Sequence, residues 1–247
     1  MKKQALSRER RGQLDGGEAE ATHLAEVMAV DFARLMANIA PGLPASAITP
    51  MRNAAKRGIT LRMQGAATLL RVHGHGDHAH WARHASDTVR GWACYLIGSD
   101  PALSLERKLD ALRPLADDAH FGVREWAWLA VRPHIVSEPL RVLTHLHGWS
   151  TDPSPNVRRF ACEALRPRGV WAAHITLFKQ EPHHALPLLQ ALRCDASRYV
   201  QDSVGNWLND AGKTQPDWVR ALCGEWQQQH ADDPANTYIR KRALRSL

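Results

Sequence analysis

SDTVRGWACYLIG (residues 86–98), AHFGVREWAWLAV (119–131), PSPNVRRFACEAL (153–165), ASRYVQDSVGNWL (196–208) and ANTYIRKRALRSL (235–247) are five versions of one phrase. Each has a short polar turn, a β-branched residue, a basic or polar residue, and then a run of helix formers. Anchored on the residue after the β-branched one, the copies fall at Arg90, Arg124, Arg158, Gln201 and Arg240, in steps of 34, 34, 43 and 39 residues. A recurring unit of that length marks stacked helix pairs, none of which buries its apolar face alone. Nothing in this region alternates as strands do. Turns such as SDP, TDPSP and DDP put Ser or Asp caps and an early Pro ahead of helix-forming runs. The predicted fold is all-α, a HEAT-like helical-repeat solenoid (an α-α superhelix).

Upstream of the repeats, residues 1–17 read as a polar, flexible tail and 18–247 as a single repeat domain. Leu24, Val27, Met28, Phe32, Leu35 and Met36 make an apolar stripe of helical period, ended by the breaker PGLP at 41–44. A second helical stretch is expected over 48–73, interrupted by HGHGDHAHWARH at 73–84. His80 and His84 in that segment have an i, i+4 spacing that could hold zinc or copper. It has no HExxH and no Cys partner, and Gly74 and Gly76 make it a polar loop between helices. No metal and no cofactor are expected.

The chain of 247 residues carries 32 Lys plus Arg against 25 Asp plus Glu, with a pI near 9.6. That balance favours an anionic partner, nucleic acid first. Cys94, Cys162, Cys194 and Cys223 show no CxxC pairing, as in a reducing compartment. No stretch approaches the roughly 20 apolar residues of a membrane span. MKKQALSRERRG has no apolar run behind it, so the expectation is a cytoplasmic protein without membrane attachment.

Advancing each copy by the helical period separates a packing face from an opposite one. Val123, Ala127 and Ala130 share the packing face of the second copy, with Glu125, Trp128 and Arg132 opposite. Val157, Ala161 and Ala164 pack in the third, opposite Arg159, Glu163 and Arg166. In the fourth, Val200, Val204 and Trp207 pack, leaving Asp202, Asn206 and Asp210 as a polar stripe. Parallel stacking would gather the opposite faces into a cationic surface holding carboxylates, flanked by Tyr95, Lys241 and Arg245. The same charges would equally serve as a solvated face. Arg90 and Arg124 suit either a phosphate or a neighbouring repeat, and Arg159 with Glu163 has the spacing of a surface pair worth a few tenths of a kcal/mol.

The wording of HFGVREWAWLAVRPHI, VRRFACEALRPRGVWA, YVQDSVGNWLNDAGKTQPDWV and NTYIRKRALRSL resembles the successive helices of the DNA alkylation repair family of HEAT-like-repeat DNA glycosylases. The resemblance runs over residues 86–247 and is nearer the AlkC-like branch than the AlkD-like one, without the immunoglobulin-like domain that many AlkC-like proteins carry. It implies cleavage of the N-glycosidic bond of cationic N-alkylated bases (3-methyladenine, 3-methylcytosine or 7-methylguanine type) in duplex DNA held in a concave basic groove. The family's catalytic acid matches Glu125, and the second acid of the AlkC-like branch matches Glu163. Asn206 stands where the AlkD-like branch has Trp, and Arg159 where it has a groove Arg. Arg124, Arg158, Arg159, Arg166, Arg168, Asn206, Lys241 and Arg245 are the expected DNA contacts, with Trp128 the groove-facing aromatic and Trp126 leaning to the core. The implied partner is double-stranded DNA carrying alkylated bases, bound by a monomer associated with the nucleoid. The alternatives are a non-catalytic module for bent or branched DNA and a protein-binding scaffold.

Overall fold

The computed structural model describes residues 6–247, and among them every regular element is a helix. In chain order these are α1 (Arg8–Gly16), α2 (Leu24–Ala29), α3 (Phe32–Ile39), α4 (Ala45–Asn53), α5 (Ile59–Val72), α6 (His78–Trp81), α7 (Asp87–Gly98) and α8 (Leu105–Ala116). They continue with α9 (Phe121–Ser137), α10 (Pro139–His147), α11 (Pro155–Glu163), α12 (Thr176–Gln180), α13 (Leu186–Leu192), α14 (Arg198–Gly212), α15 (Pro216–Gln229) and α16 (Pro234–Ala243). The five quoted copies supply α7, the start of α9, α11, α14 and α16. The all-α, helical-repeat fold is therefore as the spacing predicts. Two compact units result, one of residues up to 103 with 118–130, the other of 104–117 with 131–247.

Of the tail expected over 1–17, residues 1–5 lie outside the described residues, and the first unit shows why 8–17 are not part of a tail. Ser7 accepts the Arg10 N–H and starts α1, and Gly17, at φ 80°, ends it in the left-handed conformation that glycine tolerates. Leu14 and Asp15 are buried, and Asp15 accepts the Asp31 N–H at 2.8 Å. Arg10 grips both oxygens of Glu26 at 2.9 and 2.6 Å, which holds the Glu26 carboxyl down to about 2. The Ala21 peptide is held from both sides. Its N–H reaches Asp87 Oδ1 at 3.0 Å, and its carbonyl meets His120 Nε2 at 2.6 Å. Burial pushes the Asp87 carboxyl up. The stripe over 18–40 divides into α2 and α3 at Val30, where Asp31 caps the new helix through the N–H groups of Ala33 and Arg34. Likewise the stretch 48–73 is two helices, α4 and α5, separated at 54–58. The histidine-rich segment folds around Trp81, which is buried and donates its indole N–H to the His75 carbonyl at 2.8 Å.

α7 is buried along its whole length, so it has no solvated face. Gly91 is the contact point: a Cβ there would lie 2.4 Å from Met63 and 2.6 Å from Trp126, so α5, α7 and the start of α9 approach closely only because it is glycine. In the second unit α11, α14 and α16 are the successive inner helices, with α14 enclosed on most sides. Gly205 of α14 lets the stem of Arg242 from α16 lie against the backbone, where a Cβ would meet it at 2.8 Å. α8, α10 and α15 are amphipathic outer helices with one buried edge each, such as Val142, Leu143 and Leu146 of α10. No described helix is long and apolar enough to cross a membrane.

Candidate functional site

Four of the five repeat anchors share one geometry. Arg90 donates to the carbonyls of His84 and Ala85, Arg124 to those of Asp118 and Ala119, and Arg158 to those of Asp152 and Pro153, while Gln201 reaches the carbonyl of Asp195. Each of these four thus closes the turn that precedes its own helix, whereas Arg240 bonds the side chains of Asn236, Thr237 and Gln227. Arg90 also forks onto Asp118 at 2.8 and 3.0 Å, and Arg158 onto Asp195 at 2.6 and 2.9 Å. Asp118 and Asp195 in turn cap the following N–H of His120 and Ser197. The arginines expected to meet phosphate at positions 124 and 158 therefore hold the scaffold. Both chemistries read alike in sequence, and the carbonyl pair decides it.

In the first unit Glu125 sits one turn into α9, half-buried. Trp128 is 2% exposed and donates its indole N–H to Glu125 Oε2 at 2.8 Å. The expectation that Trp128 stacks on a base is corrected: its ring lies inside the unit, and its polar edge orients the carboxylate. Trp126 is buried as expected, with its indole N–H unpaired among the described residues.

The second unit encloses a charge network. Glu163 is buried. Its Oε1 accepts from Arg166 at 2.7 Å, its Oε2 accepts from the Ser203 hydroxyl at 2.7 Å, and Arg159 stands 3.7 Å from Oε1. Arg166 also donates twice to Asp210, at 2.9 and 2.8 Å. Burial would raise the Glu163 pKa, but Arg159 and Arg166 outweigh it and the net shift is downward. Arg159 lies over the Tyr199 ring at 4.8 Å. Arg132, 2% exposed, donates to the carbonyls of Ala164, Arg166 and Ala173 at 2.7, 2.8 and 2.9 Å. Its burial, with Arg166 nearby, pushes its pKa down to about 10. Arg159 and Arg166 were expected on a DNA-facing surface. Instead they are buried, because the face opposite the small residues is covered as well.

The remaining candidates are more accessible. Arg168 reaches the Asp210 carbonyl at 3.3 Å, and Asn206 accepts from Arg242 at 3.0 Å. Arg242 and the Tyr238 hydroxyl both meet Asp202. Lys241 and Arg245 are exposed, with Arg245 touching the Arg242 carbonyl at 2.8 Å.

Trp171 was not singled out from sequence as a site residue. It is 58% exposed and holds φ 57°, the one positive φ of a non-glycine residue among those described. A bulky residue in that region is strained by about 1–3 kcal/mol, and such strain concentrates at functional positions. The loop around it is closed by the Ile175 N–H on the Pro167 carbonyl at 3.0 Å and pinned by Arg132 at Arg166 and Ala173. The cationic setting shows in His174, whose pKa is lowered by burial and then by Lys179, Arg168 and Arg132. Backbone geometry and exposure together distinguish Trp171 from the other tryptophans. Among the described residues, one set of metal-binding groups lies within reach of a common ion: Glu181, His183 and His184, whose ligand atoms fall within 4.8 Å of one another.

Arginine-anchored helix pairs, with a tryptophan-held carboxylate in one unit and an acid–arginine network in the other, define an all-helical repeat protein. Residues 105–247 match the DNA alkylation repair enzyme family, and the chain belongs to it. YhaZ of Bacillus subtilis is 34% identical over 138 residues, 56% of this chain and 37% of that protein. The chain thus spans little more than a third of that curated relative. The alkylpurine DNA glycosylase AlkC of Pseudomonas fluorescens, solved bound to DNA containing an abasic site analog, superposes with a TM-score of 0.69 at 26% identity, over 87% of this chain and 60% of that one. AlkD2 of Streptococcus mutans shares the fold, with a TM-score of 0.57 at 22% identity over 82% of this chain and 89% of that one.

Proposed function

We propose that this chain is a DNA glycosylase that releases cationic N-alkylated bases, of the 3-methyladenine, 3-methylcytosine or 7-methylguanine type, from duplex DNA. The observation that carries the reading is the Glu125 carboxylate, held by the Trp128 indole on a helix of the repair-family fold. The chemistry suits a lone oriented acid. An alkylated base already carries positive charge, so it departs without a proton. The barrier lies in the oxocarbenium-like sugar, which a fixed carboxylate stabilises as it does in glycoside hydrolysis. Glu125 is the catalytic acid; it stabilises the sugar cation or orients the attacking water. Glu163 acts through Arg166 and Arg159 as a positioning acid, since their charges already match its own. Within the second unit Lys241, Arg245 and Arg168 neutralise phosphates, and the exposed Trp171 ring stacks on DNA there.

The test is base release from methylated duplex, followed by chromatography of the freed bases. The intact chain should release at least one alkylated base. Glu125→Gln should keep DNA affinity within about twofold while release falls by about a hundredfold or more. Salt-sensitive DNA binding with no release from any methylated duplex would overturn the reading in favour of a non-catalytic DNA-binding module.

A further inference from the structure

The first unit has a second surface, remote in sequence from Glu125. α4 and α5 form the walls of an open groove of about 440 Å³, floored by Phe32 and Met51. Along α5, Leu61, Gly65, Thr68 and Val72 follow the i, i+4, i+7, i+11 spacing of a single stripe, and all four are exposed, Leu61 by 54% and Val72 by 73%. The stripe is apolar at both ends and small in the middle. A Cβ built on Gly65 meets no atom within 4 Å, so the middle of the groove is open. Helical repeats require their outermost faces to be polar, and an apolar stripe left in water marks a face that something covers.

The charge around the groove indicates what covers it. Arg57, Arg62 and His73 line it, and no carboxylate does. Residues 32–76 contain no Asp or Glu, while Arg34, Arg52, Lys56, Arg57, Arg62 and Arg71 all fall within them. Arg62 is fixed at the wall, its guanidinium 4.1 Å from the centre of the Phe32 ring and donating to the Val30 carbonyl at 2.7 Å. Its pKa is lowered by burial, against the attraction of Asp31. Two copies of this face would bring cations against cations, which disfavours self-association. A duplex offers phosphates but no apolar ridge to fill the groove between Leu61 and Val72. An amphipathic helix offers both, with apolar residues at i, i+3, i+4 and i+7 for the groove and acids on its flanks for the rim.

We propose that the α4–α5 groove docks an acidic amphipathic helix of a partner protein. The groove places one helix against α5, its close approach permitted by Gly65 and its direction set by Arg57 at one end and His73 at the other. This surface is independent of base release.

The test uses a fluorescein-labelled peptide of about four helical turns with Leu on one face and Glu elsewhere, read by fluorescence polarisation. The control peptide has Lys in place of every Glu. The intact chain should bind the Glu peptide, more weakly as salt rises, and not the Lys peptide. Gly65→Leu fills the groove and favours the helix, so it should keep the melting temperature and base release while weakening the peptide by about tenfold or more. Arg57→Glu should weaken it comparably. Equal binding of the two peptides, or Glu-peptide binding unchanged by Gly65→Leu, would overturn the proposal. So would a Gly65→Leu loss confined to phosphatidylglycerol vesicles or to undamaged duplex, which would assign the face to lipid or nucleic acid. Loss of base release in the intact chain bears on the repair reading alone.

Discussion

Replacing Glu163 by Gln keeps the shape of the side chain and removes its charge, which makes it the sharpest probe of the second unit. The carboxylate accepts from Arg166 and Ser203 with Arg159 nearby, and all of these lie inside the unit. Removing one partner of a buried pair typically costs about 3–5 kcal/mol, because the other charge stays behind. Arg166 keeps both bonds to Asp210, and Ser203 can still bond the amide, so the low end applies, about 3 kcal/mol. For a chain of this size that lowers the melting temperature by about 6–12 °C. The cost depends on pH. Folding lowers the Glu163 pKa below the ordinary glutamate value, so its contribution is present above that value and is lost as pH falls through the folded one. Calorimetric melts at pH 7 and pH 4 should therefore show a large gap between the parent and Glu163→Gln that narrows in acid. Glu125→Gln, at a half-buried position, should stay within about 1 kcal/mol of the parent at both. A Glu163→Gln variant that melts within about 1 °C of the parent at pH 7, or a gap that widens in acid, would refute the network as a source of stability.

Trp128→Phe keeps the ring but removes the donor to Glu125. Base release should fall by about ten- to a hundredfold with DNA affinity retained; an unchanged rate would mean the indole does not orient the acid. Arg158→Ala breaks the fork to Asp195 and two turn bonds, so the chain should lose about 2 kcal/mol of stability while the salt slope of DNA binding stays the same. The pair Lys241→Ala and Arg245→Ala should do the reverse, lowering that slope by up to about 0.9 per residue without a shift in melting. Trp171→Gly relaxes a strained backbone and should raise the melting temperature by about 2–4 °C, yet weaken DNA binding by about tenfold in a mobility-shift titration. A variant that melts lower, or binds DNA unchanged, would remove Trp171 from the interface.

The helices of the quoted copies were legible in sequence because their turns carry Ser, Asp and Pro at capping positions, and those chemistries are local. The division of the early stretches into α2 with α3 and α4 with α5 was not, since Val30 is no breaker and residues 54–57 are helix formers that leave Gly58 as the one local signal. α1 escaped notice because its hold on the unit rests on Leu14, Asp15 and the distant partners of Arg10 rather than on an apolar stripe. The site was legible only in part. A helical wheel assumes one covered face, whereas α11 is covered all round from Arg159 to Glu163, so Arg159, Glu163 and Arg166 turn inward to one another. Which arginines close turns and which remain for phosphate depends on carbonyls five and six residues back, and any sequence supplies those. Trp171 differs from its fellows in φ and in exposure, and neither leaves a signature at a tryptophan in the sequence.

The turn aspartates have a consequence for anyone who would cut and rejoin such repeats. Asp118 and Asp195 each brace the turn ahead of their own repeat helix and receive the arginine of the preceding repeat. A helix pair excised at its own turns leaves with an arginine whose acceptor stays with the neighbour. The transplantable module is therefore out of phase with the visible one, and must run past the next aspartate to be complete. Because each of these arginines reaches forward along the chain, an array assembled from such modules has a direction. Its last member ends with an unmatched cation, and its first begins with an unmatched acid.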